Sequence, residues 1–379
     1  MSTLRVGVVG AGIGVHYAES FQRIPEVEVV AISASSERNA GPAAERLGIP
    51  AVYTSLDEML SGSAPDIVAI ATPNDLHHQM TLEALEAGAH VLCDKPLAMN
   101  AAQALEMWQA AERRGARHIV PFWWRFLPAV TRAHELLADG SFGEPHFADV
   151  RYLNCGWGDP HGPMRWQFDA ARSGTGALGN VGSHAIHVLQ WLTGDIVRVC
   201  AHSSVNVRER RWPGGALARP DVEDTVAFVA ELGNGAPVSF LASSVAYEVR
   251  SAFSVAVHCS EGSVGVSAES HWPESTMGRL TVMRRGEDGP RDVPVSKLPG
   301  TERLPDGLAP QDVAYTAIAA ELIAAIRERR PAAPGFEAGL RVQEVIDAAS
   351  ESAAGAGWVA PSRATAEGVA AQVAAGDLQ

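Results

Sequence analysis

Cysteine is scarce. The 379-residue chain holds four, Cys93, Cys155, Cys200 and Cys259, widely scattered and without a CxxC pair. That argues against a disulfide framework or a zinc knuckle and points to a reducing cytoplasm. Basic residues are outnumbered: Lys and Arg total 30 against 44 for Asp and Glu, a formal net charge of −14. A general nucleic-acid binder is disfavoured, because neutralising phosphates needs a basic surface; a small local basic pocket remains compatible. No run nears the roughly 20 apolar residues that span a bilayer, so no membrane association is expected. The opening MSTLRVGVVG enters a strand-like run at once and lacks the layout of a signal peptide. Internal repeats are absent.

Apolar residues make up 46% and charged residues 20%, enough to build a sizeable core. At roughly 150 residues per domain, two or three domains are expected. The first 124 residues alternate apolar runs with helical stretches. Strands are expected at 4–9, 27–32, 66–72, 90–93 and 118–122, and helices at 13–24, 37–47, 76–87 and 101–114. That rhythm implies right-handed βαβ crossovers and an N-terminal Rossmann domain, a doubly wound parallel sheet, over residues 1–124. From 125 to 359 the pattern becomes that of an α+β domain with an open, mainly antiparallel sheet. Helices are expected at 128–139, 177–192, 313–330 and 336–354, and a strand at 145–154. Strands at 221–232 and 236–245 flank the Gly-bearing hairpin loop 233–235, and strands at 254–258 and 263–267 flank 261–262. Residues 155–176 read as a long, Trp- and Gly-rich functional loop. The tail 360–379 is Ala-rich and weakly patterned.

The first strand runs straight into Gly10-Ala11-Gly12-Ile13-Gly14, and a helix follows. One glycine makes the turn, a second lets backbone N–H groups approach a pyrophosphate, and the helix N-terminus supplies positive partial charge. The third glycine of GxGxxG would fall at Val15, so Gly14 comes one residue early. NAD sites commonly place an acid at the tip of the second strand. Here Ser33, Ser35, Ser36 and Arg38 occupy that region. Hydroxyls and a guanidinium suit a 2′-phosphate, so NADP(H) is favoured over NAD(H).

Two further stretches carry chemistry. Cys93-Asp94-Lys95-Pro96 lies at the carboxyl end of an expected parallel strand, where open α/β sheets bind ligands. Thr72, Pro73 and Asn74, at the end of another, are expected to line the cofactor channel. Asn180 and His184 stand four apart at the start of a helix and share one face. With Lys95 they are expected to converge on one cleft. His184 and His187 form a His-x-x-His pair, but no carboxylate or cysteine set accompanies it, so no metal site is expected.

These motifs together resemble the Gfo/Idh/MocA oxidoreductases, the glucose–fructose oxidoreductase and inositol dehydrogenase group. The resemblance rests on the GxG turn, Ala71-Thr72-Pro73-Asn74 with His77, and Asp94-Lys95-Pro96. It extends to Arg125-Phe126 with Pro128, Gly182-Ser183-His184, and the run Phe336 to Val342. It implies NAD(P)-dependent oxidation or reduction of a sugar, polyol or related compound, with the family's lysine at Lys95 and its histidine at His184. It also places His77, Asp94 and Lys95 beside the cofactor. In chemical terms His184 serves as acid and base near neutral pH and Lys95 polarises the substrate oxygen. Many relatives carry Asp where this chain has Asn180. Asn can hydrogen-bond a hydroxyl but moves no proton, which puts the proton work on His184.

Trp157, Asp159, Arg165 and Trp166, with Arg125 at the domain junction, are the candidate substrate contacts, since aromatic faces suit sugar C–H surfaces. Arg208, Arg210 and Arg211 form a basic cluster that would suit a nucleotide-linked sugar. Two rivals therefore stand beside a sugar or polyol dehydrogenase: a ketoreductase of nucleotide-linked sugars in natural-product biosynthesis, and a catalytically silent, cofactor-sensing binding protein. An open sheet with an apolar outer face implies a homodimer or homotetramer.

Overall fold

The computed structural model describes residues 3–247, 251–269, 278–296, 301, 304 and 307–364. The expected tail at 360–379 falls mostly outside that range. Two compact units emerge, one from the described parts of Met1–Pro121, Pro299–Leu340 and Arg363–Gln379, the other from Phe122–Leu298 and Arg341–Ser362. The second of these units begins at Phe122, and the chain returns to the first unit after it. Among the described residues no helix is long and apolar enough to cross a membrane.

The first unit alternates β1 (Leu4–Val9), α1 (Gly14–Gln22), β2 (Val27–Ser33), α2 (Glu37–Leu47), β3 (Ala51–Tyr53), α3 (Leu56–Ser63), β4 (Ile67–Ile70), α4 (His77–Glu86), β5 (His90–Cys93), α5 (Ala101–Arg114) and β6 (His118–Ile119). The strands form one parallel sheet in the order β3-β2-β1-β4-β5-β6. Val6, Val8, Ile32, Ile67 and Ile70 are fully buried, as β-branched runs covered on both faces require. β3 and α3 were not expected. The strand has three half-buried residues, too few to show a period. The helix does carry a start signal, because Ser55 Oγ accepts from Glu58 N at 3.2 Å while Glu58 Oε2 accepts from Thr54 N at 3.2 Å. The strand expected at 118–122 stops at Ile119.

The second unit holds α6 (Pro128–Ala138), β7 (Pro145–Asn154), α7 (Ala170–Ser173), α8 (Ser183–Thr193), β8 (Ile196–Ser204), β9 (Arg210–Arg211), β10 (Leu217–Ala218), β11 (Thr225–Leu232), β12 (Pro237–Ser243), β13 (Ser251–Cys259), β14 (Gly262–Glu269), β15 (Arg279–Arg284) and β16 (Arg291–Val293). Eight of these strands make one sheet, β16-β15-β14-β13-β7-β12-β11-β8, antiparallel except where β7 runs parallel to β12. β11 alternates buried and exposed positions along its length, and Phe147 and Val229 stand exposed on the outer side. β8, β15 and β16 extend the sheet beyond the strands expected from the sequence.

Two long helices follow, α9 (Pro310–Glu328) and α10 (Phe336–Glu351). α9 packs on α1, with the Tyr17 and Tyr315 rings edge to face at 5.1 Å. The start of α10 is pinned to β6. Phe336 is fully buried, its ring stacks on His118 at 4.4 Å, and its backbone N donates to His118 Nδ1 at 2.9 Å. Phe336→Ala is expected to cost about 3–5 kcal/mol. A lower midpoint in urea at unchanged slope would show it; an unmoved midpoint would mean that the ring contributes no packing.

Candidate functional site

In the first unit the functional residues gather at the carboxyl ends of β1, β2, β4 and β5, where the strand order reverses. Gly10 has φ +105°, and a Cβ there would lie 2.2 Å from Ala71 O. Only glycine fits both demands. A Cβ on Gly14 would stand 3.0 Å from Val8 Cγ1 and 3.2 Å from Ala71 Cβ. Gly14, one residue early in the fingerprint, therefore does the close helix-to-strand packing. Gly12 has nothing within 4 Å of its missing side chain. That open approach at the N-terminus of α1 fits a pyrophosphate.

The tip of β2 carries no carboxylate ahead of Glu37. Ser33 is buried, and its carbonyl accepts from Gly10 N at 2.8 Å. Ser35 Oγ accepts from Asn39 Nδ2 at 3.1 Å. Ser36 occupies the N-cap position of α2, yet its hydroxyl makes no capping bond. Arg38 is exposed. The residues present thus fit a nicotinamide dinucleotide along the glycine turn and the β2 tip.

Asp94 organises the end of β5. Its Oδ1 accepts from Lys95 N at 2.7 Å and from the Tyr17 hydroxyl at 3.0 Å. Tyr17 is buried in α1, so one carboxylate ties the helix behind the glycine turn to the lysine loop. Burial holds the Lys95 ammonium pKa below its ordinary 10.5, with Asp94 pulling the other way. Asn74 is buried at the end of β4, and Thr72 and Pro73 are half-buried beside it. His77, expected at the cofactor, is 0% exposed. Its Nδ1 lies 3.0 Å from Pro96 O and its Nε2 3.1 Å from Thr72 O. Burial favours the neutral ring, which donates its one N–H to one of these carbonyls, and the ring lodged between them braces the β4 loop against the β5 loop. His16, Glu19 and Asp312 form a group with metal-ligating atoms, but His16 already meets Asp312 at 3.2 Å and Glu19 meets Arg46 at 2.7 Å.

In the second unit the expected helix at 177–192 opens with a wide π turn, Leu178–Gly182, before α8. Asn180 sits in that turn, half-buried, and His184 in the first turn of α8, 3% exposed. Positions four apart stay on nearly the same side in either winding. Rings enclose His184: Phe122 at 6.0 Å, Trp123 at 6.2 Å and Tyr152 at 6.2 Å. His187 stacks on Phe122 at 4.3 Å. Burial, helped by Arg125, holds its pKa well below 6.5, so it is neutral. Arg125 lies over Trp191 at 4.1 Å and so braces α8.

The loop before the π turn divides into packed and open positions. Trp157 is buried, edge-on to Phe168 at 4.9 Å. That packing gives it a structural part in the loop. Trp166 opens a short helical turn and is half-buried, while Asp159 and Arg165 are exposed.

Glu223 was not anticipated. Its Oε1 accepts from Gly176 N and Leu178 N, both at 2.9 Å, and its carbonyl accepts from Ala177 N at 2.8 Å. It caps the segment that carries Asn180 and His184 from 45 or more residues away, a separation no local pattern reveals. A Cβ on Gly176 would stand 1.8 Å from Glu223 O, so glycine is required there.

Comparison with known proteins places the chain among related oxidoreductases. Residues 4–122 match a profile described as "Oxidoreductase family, NAD-binding Rossmann fold", and residues 130–265 match the GFO/IDH/MocA C-terminal domain. The levoglucosan dehydrogenase of Pseudarthrobacter phenanthrenivorans is 28% identical over 95% of this chain and 98% of that protein. The D-glucoside 3-dehydrogenase of Escherichia coli is 31% identical over 66% of this chain and 72% of that protein. A solved structure of levoglucosan dehydrogenase with NADH and levoglucosan superposes with a TM-score of 0.86 at 26% identity, over 95% of this chain and 100% of that one.

Burial raises the Glu223 carboxyl pKa above its ordinary 4.5, against the pull of the two N–H bonds. The folded state thus binds this proton more tightly than the unfolded state. Stability from this group is full below 4.5 and falls as pH rises through the raised value. Glu223→Gln keeps an acceptor and is expected to flatten that slope, whereas Glu223→Ala strands two N–H groups and costs about 2 kcal/mol. Denaturant titrations across pH check both, and identical slopes for wild type and Glu223→Gln would refute the assignment.

Proposed function

The chain belongs to the GFO/IDH/MocA oxidoreductase family, and from that premise we propose that it moves a hydride between a nicotinamide dinucleotide and a CH–OH carbon of a sugar, cyclic polyol or related carbohydrate. The observation that carries the reading is the Asp94 carboxylate, which fixes the Lys95 loop to the helix that follows the glycine turn. A lysine held there, with its ammonium already part-desolvated, is suited to donate a hydrogen bond to a substrate oxygen and to stabilise alkoxide character.

When bound, the cofactor supplies the hydride chemistry. The remaining work belongs to the chain. Gly10, Gly12 and the first turn of α1 hold the pyrophosphate. His184, shielded by three aromatic rings, takes the hydroxyl proton in oxidation and returns it in reduction. Asn180 hydrogen-bonds a neighbouring hydroxyl without moving a proton. The relatives named levoglucosan dehydrogenase and D-glucoside 3-dehydrogenase act on carbohydrate, which favours that substrate class over a silent sensor. The preferred dinucleotide in this reading is NADP(H), read by Ser35, Ser36 and Arg38 in the absence of an acid at the β2 tip.

Lys95→Ala and His184→Ala are each expected to cut kcat by about 10²–10⁴-fold while leaving dinucleotide affinity within a few-fold. A panel of sugars and polyols followed by nicotinamide absorbance measures this; full turnover in either variant would remove that residue from the mechanism. Fluorescence titration is expected to show tighter binding of NADPH than of NADH, with the difference lost in Arg38→Ala. Equal affinities in the wild type would overturn the preference.

A further inference from the structure

Arg210 is a buried cation whose hydrogen bonds go to backbone carbonyls, while the Asp224 and Asp159 carboxylates act on it through space without pairing. Its side chain belongs to a residue 4% exposed. One terminal nitrogen donates to Asp159 O at 3.1 Å and the other to Trp157 O. Its guanidinium carbon lies 4.1 Å from the centre of the Phe168 ring. Nε has no hydrogen-bond partner, and no carboxylate pairs with the group among the described residues. Burying a guanidinium is costly; Asp224 and Asp159 offset part of that cost, and a bound anion would offset more.

The same residue lines a cleft of about 820 Å³, in the size range of small-molecule sites. The wall is built by β9 and β10 together with the loop before α7: Met164 N donates to Arg211 O at 2.7 Å, and Pro163 bridges to Arg211. Arg208, Arg211, Arg219 and His161 also line it. Arg208 is exposed and makes no hydrogen bond or ion pair among the described residues. Among the described residues the one acid in the lining is Glu209, 3.8 Å from Arg219; Asp159 and Asp224 act on Arg210 but do not line the cleft. Four arginines thus line the cleft with one carboxylate, in a chain whose formal charge is −14. A cation cluster of that kind on an acidic protein is matched by an anion with several acceptor oxygens, because guanidinium forks pair with phosphate in two hydrogen bonds at once.

We propose that this cleft binds the phosphate group of a phosphorylated carbohydrate, either a sugar phosphate or a nucleotide-linked sugar. The carbohydrate half of that statement rests on the oxidoreductase reading above. The phosphate half rests on the arginines alone. Leu217, 55% exposed at the rim, offers an apolar surface for the remainder of the ligand.

Calorimetry on the full chain tests this, with saturating NADPH present so that the dinucleotide site is filled. The probes are inorganic phosphate, glucose 6-phosphate, uridine diphosphate glucose and glucose. Phosphate-bearing probes are expected to bind, and Arg208→Glu, an exposed change that leaves the Arg210 packing intact, is expected to weaken them about tenfold or more. Tighter binding of uridine diphosphate glucose than of glucose 6-phosphate would select the nucleotide-linked source, and the reverse the sugar phosphate. Failure of all phosphate-bearing probes to bind, or affinities untouched by Arg208→Glu, would overturn the proposal. Turnover of neutral sugars with no phosphate binding would sink the cleft alone. Arginine-dependent phosphate binding with no carbohydrate turned over would sink the oxidoreductase reading and leave the cleft standing.

Discussion

One carboxylate oxygen holds the first unit's chemistry in place. Asp94 Oδ1 receives the Tyr17 hydroxyl from α1 and the backbone N–H of the very lysine that follows it. Both donors are strong, and the site is partly withdrawn from water, which raises the cost of leaving such bonds unmade. The glycine turn cannot shift without moving Tyr17, and the lysine loop cannot shift without moving Asp94. His77, lodged between two backbone carbonyls, adds a second tie from the β4 loop to the β5 loop. The site is therefore assembled from loops, yet each loop is fastened to a regular element.

The second unit solves the same problem with rings instead of charges. Trp124 stacks on Phe253 at 4.8 Å and meets Tyr152 edge-on at 5.3 Å, while Trp123 lies against Trp124. A separate pair, His187 stacked on Phe122, reaches α8. Neutral imidazole suits such a place, because the apolar surroundings penalise its charged form. Where polarity does enter, at Glu223, it is spent on orphan N–H groups at the entry to the π turn.

Much of the first unit was legible in the sequence because its strands are buried on both faces and read as continuous β-branched runs. The dinucleotide turn was legible for the same reason that it works: glycines are needed where backbone meets backbone. The rest depended on contacts that have no local trace. Tyr17 looks like any apolar helix residue until Asp94, 77 positions away, is placed against its hydroxyl. His77 carried a motif but not its orientation, and only burial shows that its nitrogens face carbonyls. Trp157 looked like a sugar platform because an aromatic residue in a polar loop gives the same signal whether it packs on Phe168 or on a ligand. The return of α9 to the first unit was hidden too, since its sequence is helical whichever core it joins.

The wide turn at Leu178–Gly182 carries an implication for how this segment tolerates length changes. A π turn stores one surplus residue inside an otherwise ordinary helix. Excising a single position there would let the coil close to regular α winding with its hydrogen bonds intact, and the chain would still fold. Because a π turn with its surplus residue and an α turn without it sweep nearly the same angle and rise, the side chains downstream would keep their places, the imidazole at 184 among them. The change would instead be confined to the turn itself, where Asn180 sits.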